Sequence, residues 1–532
     1  MSSAETPSPH IVPTTPPTNA PTSPPTTAPT TGRARTAPPP DDDATLHQLG
    51  YPRRLTRRFE LFDNFAISAT IINVIAGVFT GFAIGMNAGG PRVLVFGWVL
   101  VSVLVLAVGT AMGEIASAYP TSGALYYSAA KLARRHKAAW SWYTGWLNFA
   151  GQIGGTAGTD FAAAAFVQTF AAMVRPSYRP TLHQQVLIAA VILLVHALAN
   201  TYTVRLVALL NRVSVWWLLF GVMILVGALV FVPAHHQPAS FVFAFDNRTG
   251  FRLGWYGGAF GLLVTAWTFT GFDASFHMSE ETVGAADNAP KGIVAAIRWS
   301  GVFGFFLLLA LVFASRDWAG QAAAGNPPVQ ILVDALGMPA ARLLLLIVIG
   351  ALLFCGLANM TSNSRQIFAF SRDGAMPGSR LWYSVSERTR TPVKAVWLAA
   401  GCAFVLLLPG YWNTTAFEAI VSVNVIGLFG SYGIPIFLRL RLGAGFRPGP
   451  WNKGRRGGPI AALAVVWILF SSVLFMLPES SPITHDTFNY APVALGAVML
   501  VATIWWFATA HRSFHGPVNY GTPEELAAMD LV

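Results

Sequence analysis

The sequence predicts an all-α, polytopic membrane protein with twelve transmembrane helices, and three observations lead to that fold class. The 532 residues are 54% hydrophobic and only 11% charged, whereas a soluble domain is close to one quarter charged. Apolar runs of about 20 residues, the length needed to cross a bilayer, recur along the chain. Lysine and arginine are concentrated in the connections between these runs, as expected for signals that orient membrane helices.

Twelve apolar runs are long enough to be predicted as spans. An even number fits the alternation of Lys- and Arg-rich connections with connections such as 409–415 and 478–489, which contain neither residue. Because basic connections stay inside, both termini are predicted to be cytoplasmic in a multi-pass plasma membrane protein. The predicted spans lie near residues 62–85, 92–117, 138–173, 184–201, 206–232, 255–279, 292–314, 329–362, 393–410, 416–438, 459–477 and 490–510.

The regions outside the spans are interpreted as tails. Residues 1–58 begin with a Pro/Thr-rich tract that has little apolar surface to bury, so a disordered cytoplasmic tail is predicted there. Residues 59–511 form the predicted transmembrane domain, and residues 512–532 form a cytoplasmic C-terminal tail.

The composition also argues against other classes of protein. The net charge of +11 has no basic stripe with interleaved aromatic residues, so nucleic-acid binding is not predicted. The two cysteines, Cys355 and Cys402, lie in apolar runs and indicate neither a disulfide framework nor a metal site. The chain lacks His-Glu-x-x-His, Gly-x-Ser-x-Gly and Walker motifs. We therefore expect no enzyme activity, no cofactor and no metal.

Two predicted spans contain glycines that favour an interruption of the helix. The first carries Gly77 and Gly81 within "SATIINVIAGVFTGFAIG", and the sixth carries Gly271, followed by Asp273, within "WTFTGFDAS". Lipid does not tolerate loose backbone groups or unpaired charges, so such a break requires a function. For Gly77, close helix packing is an equal alternative.

The spacing of these two segments indicates a repeated architecture. They lie five spans apart, at corresponding places in two five-helix halves of about residues 62–232 and 255–438, with two further helices in about 459–510. Paired interruptions of this kind indicate a transporter site built on inverted repeats. The unwound N–H groups suit a carboxylate and the unwound carbonyl groups suit an ammonium, as a zwitterionic ligand requires. Aromatic faces such as Trp267, Phe269 and Phe272 suit a cationic head group as well, so both ligand classes stay open.

Further motifs make the chain resemble a known family, the amino acid–polyamine–organocation permeases, and especially their amino acid/choline branch. The resemblance extends from about residue 47 to 517. The motifs that carry it are "FDNFAIS", "INVIAG", "NAGGP", "GWV", "AMGEIASAYPTSGALYY", "GWLNFAGQI", "WTFTGFDASFHMSEET", "TSNSRQIFAFSRDGAMP", "SYGIPIFLRLR" and "FNYAPV".

The resemblance implies the LeuT-type fold, in which five plus five inverted helices are followed by two more. It also implies secondary-active transport of an amino acid or a related amine such as GABA, with H⁺ as the expected coupling ion. Three alternatives remain: a choline or polyamine transporter, a sodium-coupled symporter, and a membrane nutrient sensor that binds without transporting. The sequence leaves the oligomeric state open.

Position by position, the resemblance implies a substrate site on the first and sixth helices. In the first helix, amide groups would receive the substrate carboxylate. In the sixth, carbonyl groups would meet the amino group, and Trp267 would act as a stacking gate. The predicted substrate-binding residues are Asn73, Val74, Ile75, Ala76, Gly77, Trp267, Phe269, Thr270, Gly271 and Phe272.

Other polar residues at membrane depth are candidates for ion coupling or for structure. Asp273 and Asp160 are the proton-coupling candidates, with a polar helix contact as the equal alternative for Asp160. The resemblance also gives a possible ion site at Ala358, Thr361 and Ser362. We expect Glu114, Glu280 and Glu281 to pair with basic residues of the inner connections, and His196 and His277 to be structural.

Overall fold

A computed structural model describes residues 42–202, 204–386, 391–412, 416–485 and 487–530. Within these residues the chain is helical and forms no β-strand, apart from one isolated bridge between Phe59 and Thr282. The first eleven helices are α1 Asp42–Gln48, α2 Leu61–Ile72, α3 Val74–Ala88, α4 Gly90–Arg92, α5 Trp98–Ala118, α6 Ala124–Leu132, α7 Lys137–Val174, α8 Leu182–Tyr202, α9 Val204–Phe231, α10 Gly254–Phe260 and α11 Leu263–Thr268.

The second part of the chain continues in the same way. Short 3₁₀ or π segments lie at helix ends and in connections. The remaining helices are α12 Ala274–His277, α13 Ala285–Ala314, α14 Trp318–Ala322, α15 Pro327–Leu336, α16 Met338–Arg372, α17 Ser379–Trp382, α18 Val393–Leu407, α19 Ala416–Leu442, α20 Gly457–Leu474, α21 Ala491–Trp505, α22 His511–Ser513 and α23 Pro523–Asp530.

Eleven helical stretches among the described residues are long and apolar enough to cross a membrane. Each coincides with one of the twelve predicted spans. The unmatched prediction is the sixth, near 255–279, because the chain there forms the three short helices α10, α11 and α12. The predicted eighth span, 329–362, is also divided. Gly337 adopts a positive φ of 82° between α15 and α16, so the long helix begins only at Met338.

The terminal segments are partly described. Residues 1–41 of the predicted disordered tail lie outside the described residues. Residues 42–58, in contrast, form α1 and an extended connection, so the predicted tail contains ordered structure near its end. Helix α1 packs against α23 from the other end of the chain, and His47 Nε2 lies 2.8 Å from Asp530 Oδ2.

Helices α7 and α19 approach each other closely because glycines face each other across the contact. A Cβ added at Gly427 would lie 2.9 Å from the backbone nitrogen of Gly151. The Asn424 side chain donates a 2.7 Å hydrogen bond to the Gly151 carbonyl. Small residues permit this backbone approach in membrane helices, and α7 thereby becomes a rigid support for the site described below.

Ion pairs join several helices at the end of the bundle where the Lys- and Arg-rich connections lie, which we call the basic face. Glu114 on α5 accepts a 2.6 Å hydrogen bond from Arg439 on α19. Glu280 and Glu281, which follow α12, pair with Arg372 and Arg365 at the end of α16 at 3.0 and 2.8 Å. The expectation that these three glutamates pair with basic residues is confirmed.

Both chain ends converge on Asp373, directly after α16. Its carboxylate accepts hydrogen bonds from the Tyr51 hydroxyl at 2.8 Å, the Tyr126 hydroxyl at 2.8 Å and the Val518 backbone N–H at 3.2 Å. The Arg372 guanidinium lies 3.7 Å from the centre of the Tyr51 ring. The segments before α2 and after α22 are therefore fastened to the same helix end.

The contact between α7 and α19 leads to a prediction about stability. We expect Gly427→Ala to lower the unfolding temperature in detergent, because the new methyl group would meet backbone atoms of Gly151 and the Leu147 carbonyl oxygen at 2.9–3.0 Å. Overpacking of this kind costs about 1–3 kcal/mol. Gly430→Ala is the matched control on the same helix, since its added Cβ would meet Leu147 side-chain atoms at an ordinary 3.5–3.8 Å. Equal unfolding temperatures for the two variants would contradict the prediction.

Asp373 gives a second prediction, on the pH dependence of stability. Burial raises the pKa of Asp373 from its ordinary value of 3.8 to about 6. The folded protein therefore binds more protons than the unfolded chain between these values, and Asp373 contributes stability that is lost as the pH rises through about 6. Relative to Asp373→Asn, the wild type should lose on the order of 3 kcal/mol across this window. Unfolding temperatures of both proteins measured against pH test this; parallel profiles would refute it.

Candidate functional site

The first predicted span changes direction at a single residue. Helix α2 ends at Ile72 and α3 begins at Val74, while Asn73 between them has a φ of 28°. The Asn73 side chain holds both ends of this interruption. Its Oδ1 accepts a 3.2 Å hydrogen bond from the Ala76 N–H, and its Nδ2 donates a 2.8 Å bond to the Ala351 carbonyl on α16. Asparagine tolerates this backbone region better than most residues.

A second interruption separates α11 from α12, where residues 269–273 are not helical. Gly271 has a φ of +80°, and a Cβ added there would overlap the Ile71 Cγ2 of α2. Glycine is therefore required both by the backbone conformation and by the approach of α2. The Gly271 N–H, freed from helical bonding, donates to the Tyr432 hydroxyl of α19 at 3.2 Å.

The parts of the two interrupted segments nearest the basic face are bonded to each other. Ser68 of α2 donates to the Phe272 carbonyl at 2.9 Å and lies 2.6 Å from the Ser275 hydroxyl of α12. Ser275 in turn donates to the Asn64 carbonyl at 2.7 Å. Because α2 and α12 share these buried bonds, we treat them as one unit.

The parts farther from the basic face form a second unit. Helices α3 and α11 are in close contact because Gly77 and Gly81 face Thr268 and Val264. The packing role that the sequence left open for Gly77 is therefore observed. Trp267 completes this unit, since its Nε1–H donates to the Thr80 hydroxyl of α3 at 3.2 Å.

A small central cavity lies where the two units meet. Its volume of about 20 Å³ has room for about one water molecule and for no larger ligand. The cavity is therefore contracted in this conformation. Its walls come from α2, α3, α7, α11, the interruption after α11, and α16, and consist of Ile71, Ile72, Ala76, Gly77, Thr80, Gly155, Thr159, Trp267, Thr268, Thr270, Leu352, Cys355 and Asn359.

The polar groups of the cavity walls are almost all neutral. They comprise four threonine hydroxyls, the Asn359 amide and the Cys355 thiol, and these lining residues include no carboxylate and no amine. Ligand charges would therefore be met by backbone dipoles. In the first turn of α3 the N–H groups of Ala76 and Gly77 bond to Asn73, which leaves those of Val74 and Ile75 for a ligand. The interruption after Thr268 supplies carbonyl groups.

The structure distributes the predicted substrate-binding residues unevenly. Ala76, Gly77, Trp267 and Thr270 line the cavity. Asn73 is the N-cap of α3, and Val74 and Ile75 are the first residues of that helix. Val74–Gly77 form its first turn rather than an unwound segment.

The remaining three, in the sixth segment, do not line the cavity. Phe269 packs against Trp98 with ring centres 5.2 Å apart, and Phe272 packs against Tyr432 at 4.9 Å. Gly271 shapes the backbone without joining the walls.

Asp273 is completely buried and lies at the centre of a hydrogen-bond network. Its Oδ1 accepts a 2.7 Å bond from the Tyr432 hydroxyl, which also accepts the Gly271 N–H. Its Oδ2 accepts bonds from Asn148 at 3.0 Å and Gln152 at 3.2 Å, both on α7. The carboxylate thus ties the second interruption to α7 and α19.

His277 adds a proton to this network. Its Nδ1 lies 3.1 Å from the Ser122 carbonyl, which can only accept, so Nδ1 carries a hydrogen. Its Nε2 lies 3.2 Å from Asp273 Oδ2. Two acceptors would face each other there unless a proton lies between them, so the pair holds one. From the sequence we expected His277 to be structural, and its contact with Asp273 was not predicted.

The other candidates lie away from Asp273. Asp160 on α7 faces His196 on α8, with Nδ1 3.3 Å from Oδ2. The possible ion site is spread over different neighbours. Thr361 donates to the Asn200 side chain of α8 at 2.8 Å, whereas the Ser362 hydroxyl accepts from Gln152 of α7 at 3.4 Å. Ala358 packs among apolar residues of α2 and α12.

Sequence reasoning missed Thr159, Cys355 and Asn359 of the cavity and Tyr432 of the Asp273 network. A usable signal was present on α16, where Leu352, Cys355 and Asn359 are spaced i, i+3, i+7 on one helix face. No comparable pattern marks Tyr432, because its role depends on where Gly271 places the backbone.

Gly271 provides a prediction with an internal control. Gly374 has a φ of +82°, close to the +80° of Gly271, but a Cβ added at Gly374 would meet no atom within 4 Å. Gly374→Ala should cost about 1 kcal/mol for the left-handed backbone alone. Gly271→Ala should lower the unfolding temperature further, because its methyl group overlaps Ile71, and should open a new gap at the cavity wall. Equal unfolding temperatures would show that the approach of α2 is unimportant.

Known proteins are similar to this chain along nearly its whole length. A profile of the family described as "Amino acid permease" matches residues 59–501. Amino-acid permease BAT1 of Arabidopsis thaliana is 37% identical over 494 residues, covering 89% of this chain and 96% of that protein.

Two other relatives show similar coverage. The Amino-acid permease BAT1 homolog of Oryza sativa subsp. japonica is 37% identical over 496 residues, covering 90% of this chain and 95% of the relative. Amino-acid permease 2 of Neurospora crassa is 30% identical over 487 residues, covering 90% of this chain and 89% of that protein. This chain, with eleven helices of spanning length among its described residues and a cavity between interrupted segments, belongs to the amino acid permease family of the amino acid–polyamine–organocation superfamily.

Proposed function

We propose that the protein is a secondary-active, proton-coupled transporter of an amino acid or a related amine such as GABA across the plasma membrane. Transport proceeds by alternating access around the central cavity. The observation that carries this proposal is that two helix interruptions, at Asn73 and at residues 269–273, border the same cavity. The names of the relatives, all amino-acid permeases, support the substrate class.

The proposal includes the LeuT-type architecture, with twelve spans in two inverted five-helix repeats and two further helices. Helices α10–α12 would form the sixth span. The Tyr256 hydroxyl of α10 donates to the Pro478 carbonyl, in a connection without Lys or Arg, whereas the residues after α12 pair with α16 at the basic face. The segment therefore runs between the two faces, which supports a twelfth crossing and cytoplasmic termini at the basic face.

The cavity walls favour a substrate without net charge. A zwitterion would place its carboxylate at the start of α3 and its ammonium at the carbonyl groups after Thr268. A polyamine or choline carries uncompensated positive charge, and the lining residues provide no carboxylate for it. This is why an amino acid or GABA is favoured over these alternatives.

The conformation supports alternating access with the basic face closed. Three glutamate–arginine pairs join helices there. On the opposite face, cavities of about 260 and 480 Å³ reach into the bundle, and the smaller one shares Thr80 with the central cavity. A substrate would enter from that side when the Trp267–Thr80 contact opens.

Purified protein in proteoliposomes tests the proposal. We expect a thermal-shift screen of amino acids, GABA, polyamines and choline to give shifts with amino acids or GABA. The same compounds should then accumulate inside vesicles when the outside is made acidic. A protonophore should abolish accumulation, and replacing sodium by potassium should not. Binding without accumulation under any ion gradient would favour the nutrient sensor, and accumulation that requires sodium would favour the sodium symporter.

Trp267 gives a sharper prediction at the level of one residue. Trp267→Ala removes both the cavity wall and the hydrogen bond to Thr80, so substrate should no longer raise the unfolding temperature, while the substrate-free protein stays folded. Trp299→Ala is the control, because Trp299 is half-exposed on α13, away from the cavity. A normal substrate shift in Trp267→Ala would remove the tryptophan from the proposed site.

A further inference from the structure

A second buried carboxylate lies apart from the Asp273 network. Asp160 on α7 is fully buried, and the imidazole of His196 on α8 packs against it, with Nδ1 3.2 Å from Oδ1 and 3.3 Å from Oδ2. Hydrogen-bond geometry is met only at Oδ2. Oδ1 has no hydrogen-bond partner within the described part of the chain. An ionisable pair at membrane depth is expensive and is retained for a function by default.

The two buried aspartates differ in how fully their charges are compensated. Asp273 receives hydrogen bonds from Tyr432, Asn148 and Gln152 and shares a further proton with His277. These donors compensate the charge of the Asp273 carboxylate. Asp160 receives one hydrogen bond, from the imidazole of His196, and its Oδ1 accepts none from the described residues although it lies 3.2 Å from the same Nδ1. Of the two, Asp160 is the group that is poised to gain and lose a proton.

The position of Asp160 connects it to two cavities. The preceding residue, Thr159, lines the central cavity, and the following residue, Phe161, lines the 260 Å³ cavity on the face opposite the basic one. On α16, Gly356 follows Cys355 of the central cavity, and a Cβ added at Gly356 would overlap Asp160 Oδ1. The pair is therefore in direct contact with helices that shape the substrate site.

We propose that Asp160 and His196 together form the binding site of the proton that drives transport. This inference rests on the proposed function and specifies where its coupling ion binds. Asp273 then has a structural task, which is to hold the second interruption against α7 and α19.

The two states of the site differ by one proton. In the unloaded state Asp160 is a carboxylate, neutral His196 donates Nδ1–H to Oδ2, and the pair carries one negative charge. In the loaded state a proton is bonded to Oδ1, and the pair is neutral. This proton would come from water in the 260 Å³ cavity on the face opposite the basic one. Loading removes an uncompensated charge from the bundle interior, where such charges are costly. Asp160 contacts Gly356 of α16, and Thr159 precedes Asp160 on α7. The change in the charge of Asp160 therefore alters the packing of α7 against α16.

Few other ionisable groups act on the pair. Among the described residues of α16, the Cys355 thiol is within the electrostatic influence of Asp160, and it bonds to the Ile71 carbonyl at 3.2 Å. Helix α8 contributes His196 itself, together with the neutral Asn200. From α19, the Asn424 amide faces α7 and carries no charge.

Infrared spectroscopy of the substrate-free protein tests proton binding directly. We expect the wild type to show the carbonyl stretch of a protonated carboxyl group that appears on acidification and is missing from Asp160→Asn. His196→Gln should shift the pH at which this band appears by at least about one unit. Asp287→Asn, which removes an exposed carboxylate 3.6 Å from Lys291, should leave the band unchanged.

Two infrared outcomes would overturn the proposal. One is a wild-type spectrum that Asp160→Asn leaves unchanged in the carboxyl region. The other is an Asp160 band that persists unchanged over the whole pH range, since a proton that never leaves cannot be coupled. If Asp160→Asn does not fold, the shift in His196→Gln decides, and an unshifted band refutes the pair.

Transport supplies the second readout. With a radiolabelled mixture of the standard amino acids and GABA, accumulation driven by an acidic exterior should fall at least about tenfold in Asp160→Asn, a loss equivalent to 1.4 kcal/mol or more. The residual uptake should no longer vary with pH, whereas Asp287→Asn should behave as the wild type. Wild-type-like pH dependence in Asp160→Asn would refute the inference. If the wild type itself does not accumulate the mixture, the proposed function fails, and the infrared result still decides whether the pair binds a proton.

Discussion

The structure depends on one constraint, which is that backbone polar groups in a bilayer interior must find partners inside the protein. The interruptions at Asn73 and at residues 269–273 release such groups. Specific side chains provide hydrogen-bond partners for these groups. Asn73 caps α3 with its own amide oxygen, Ser68 donates to the Phe272 carbonyl, and Tyr432 accepts the Gly271 N–H. The interruptions persist because these partners are supplied, and the central cavity exists because the interruptions persist.

This demand for partners explains which helices must not move. Tyr432, Asn148 and Gln152 can hold Asp273 only if α7 and α19 keep a fixed separation. The glycine contact between Gly151 and Gly427 sets that separation at backbone distance, where side-chain rearrangement cannot change it. Asn73 is fixed in the same way to the Ala351 carbonyl of α16. A rigid frame of α7, α16 and α19 therefore surrounds two pairs of shorter helices.

Much of this organisation could be predicted from the sequence, because hydrophobic run length and basic connections are local properties. Eleven spans, the glycine at position 271 and the pairing of Glu114 and Glu280 with basic residues followed from such signals. The exact place of the first interruption did not, since the conspicuous glycines at 77 and 81 serve helix packing while Asn73 makes the turn. Tyr432 and Asn359 were missed because each acts through a contact between distant helices, and a single sequence does not reveal which faces meet.

The two units, α2 with α12 and α3 with α11, also differ in what their movement would cost. Bonds inside a unit, such as that from the Ser275 hydroxyl of α12 to the Asn64 carbonyl of α2, lie at membrane depth and have no water to replace them. These hydrogen bonds remain intact if each unit moves as a rigid body. The Glu281–Arg365 pair at the basic face is also largely buried, so separating its charges costs free energy unless water reaches both of them. Glu280–Arg372, Tyr51 and Asp373 are more deeply buried and are fastened to both chain ends. In the proposed alternating-access cycle, opening at the basic face would therefore require release of this terminal cluster.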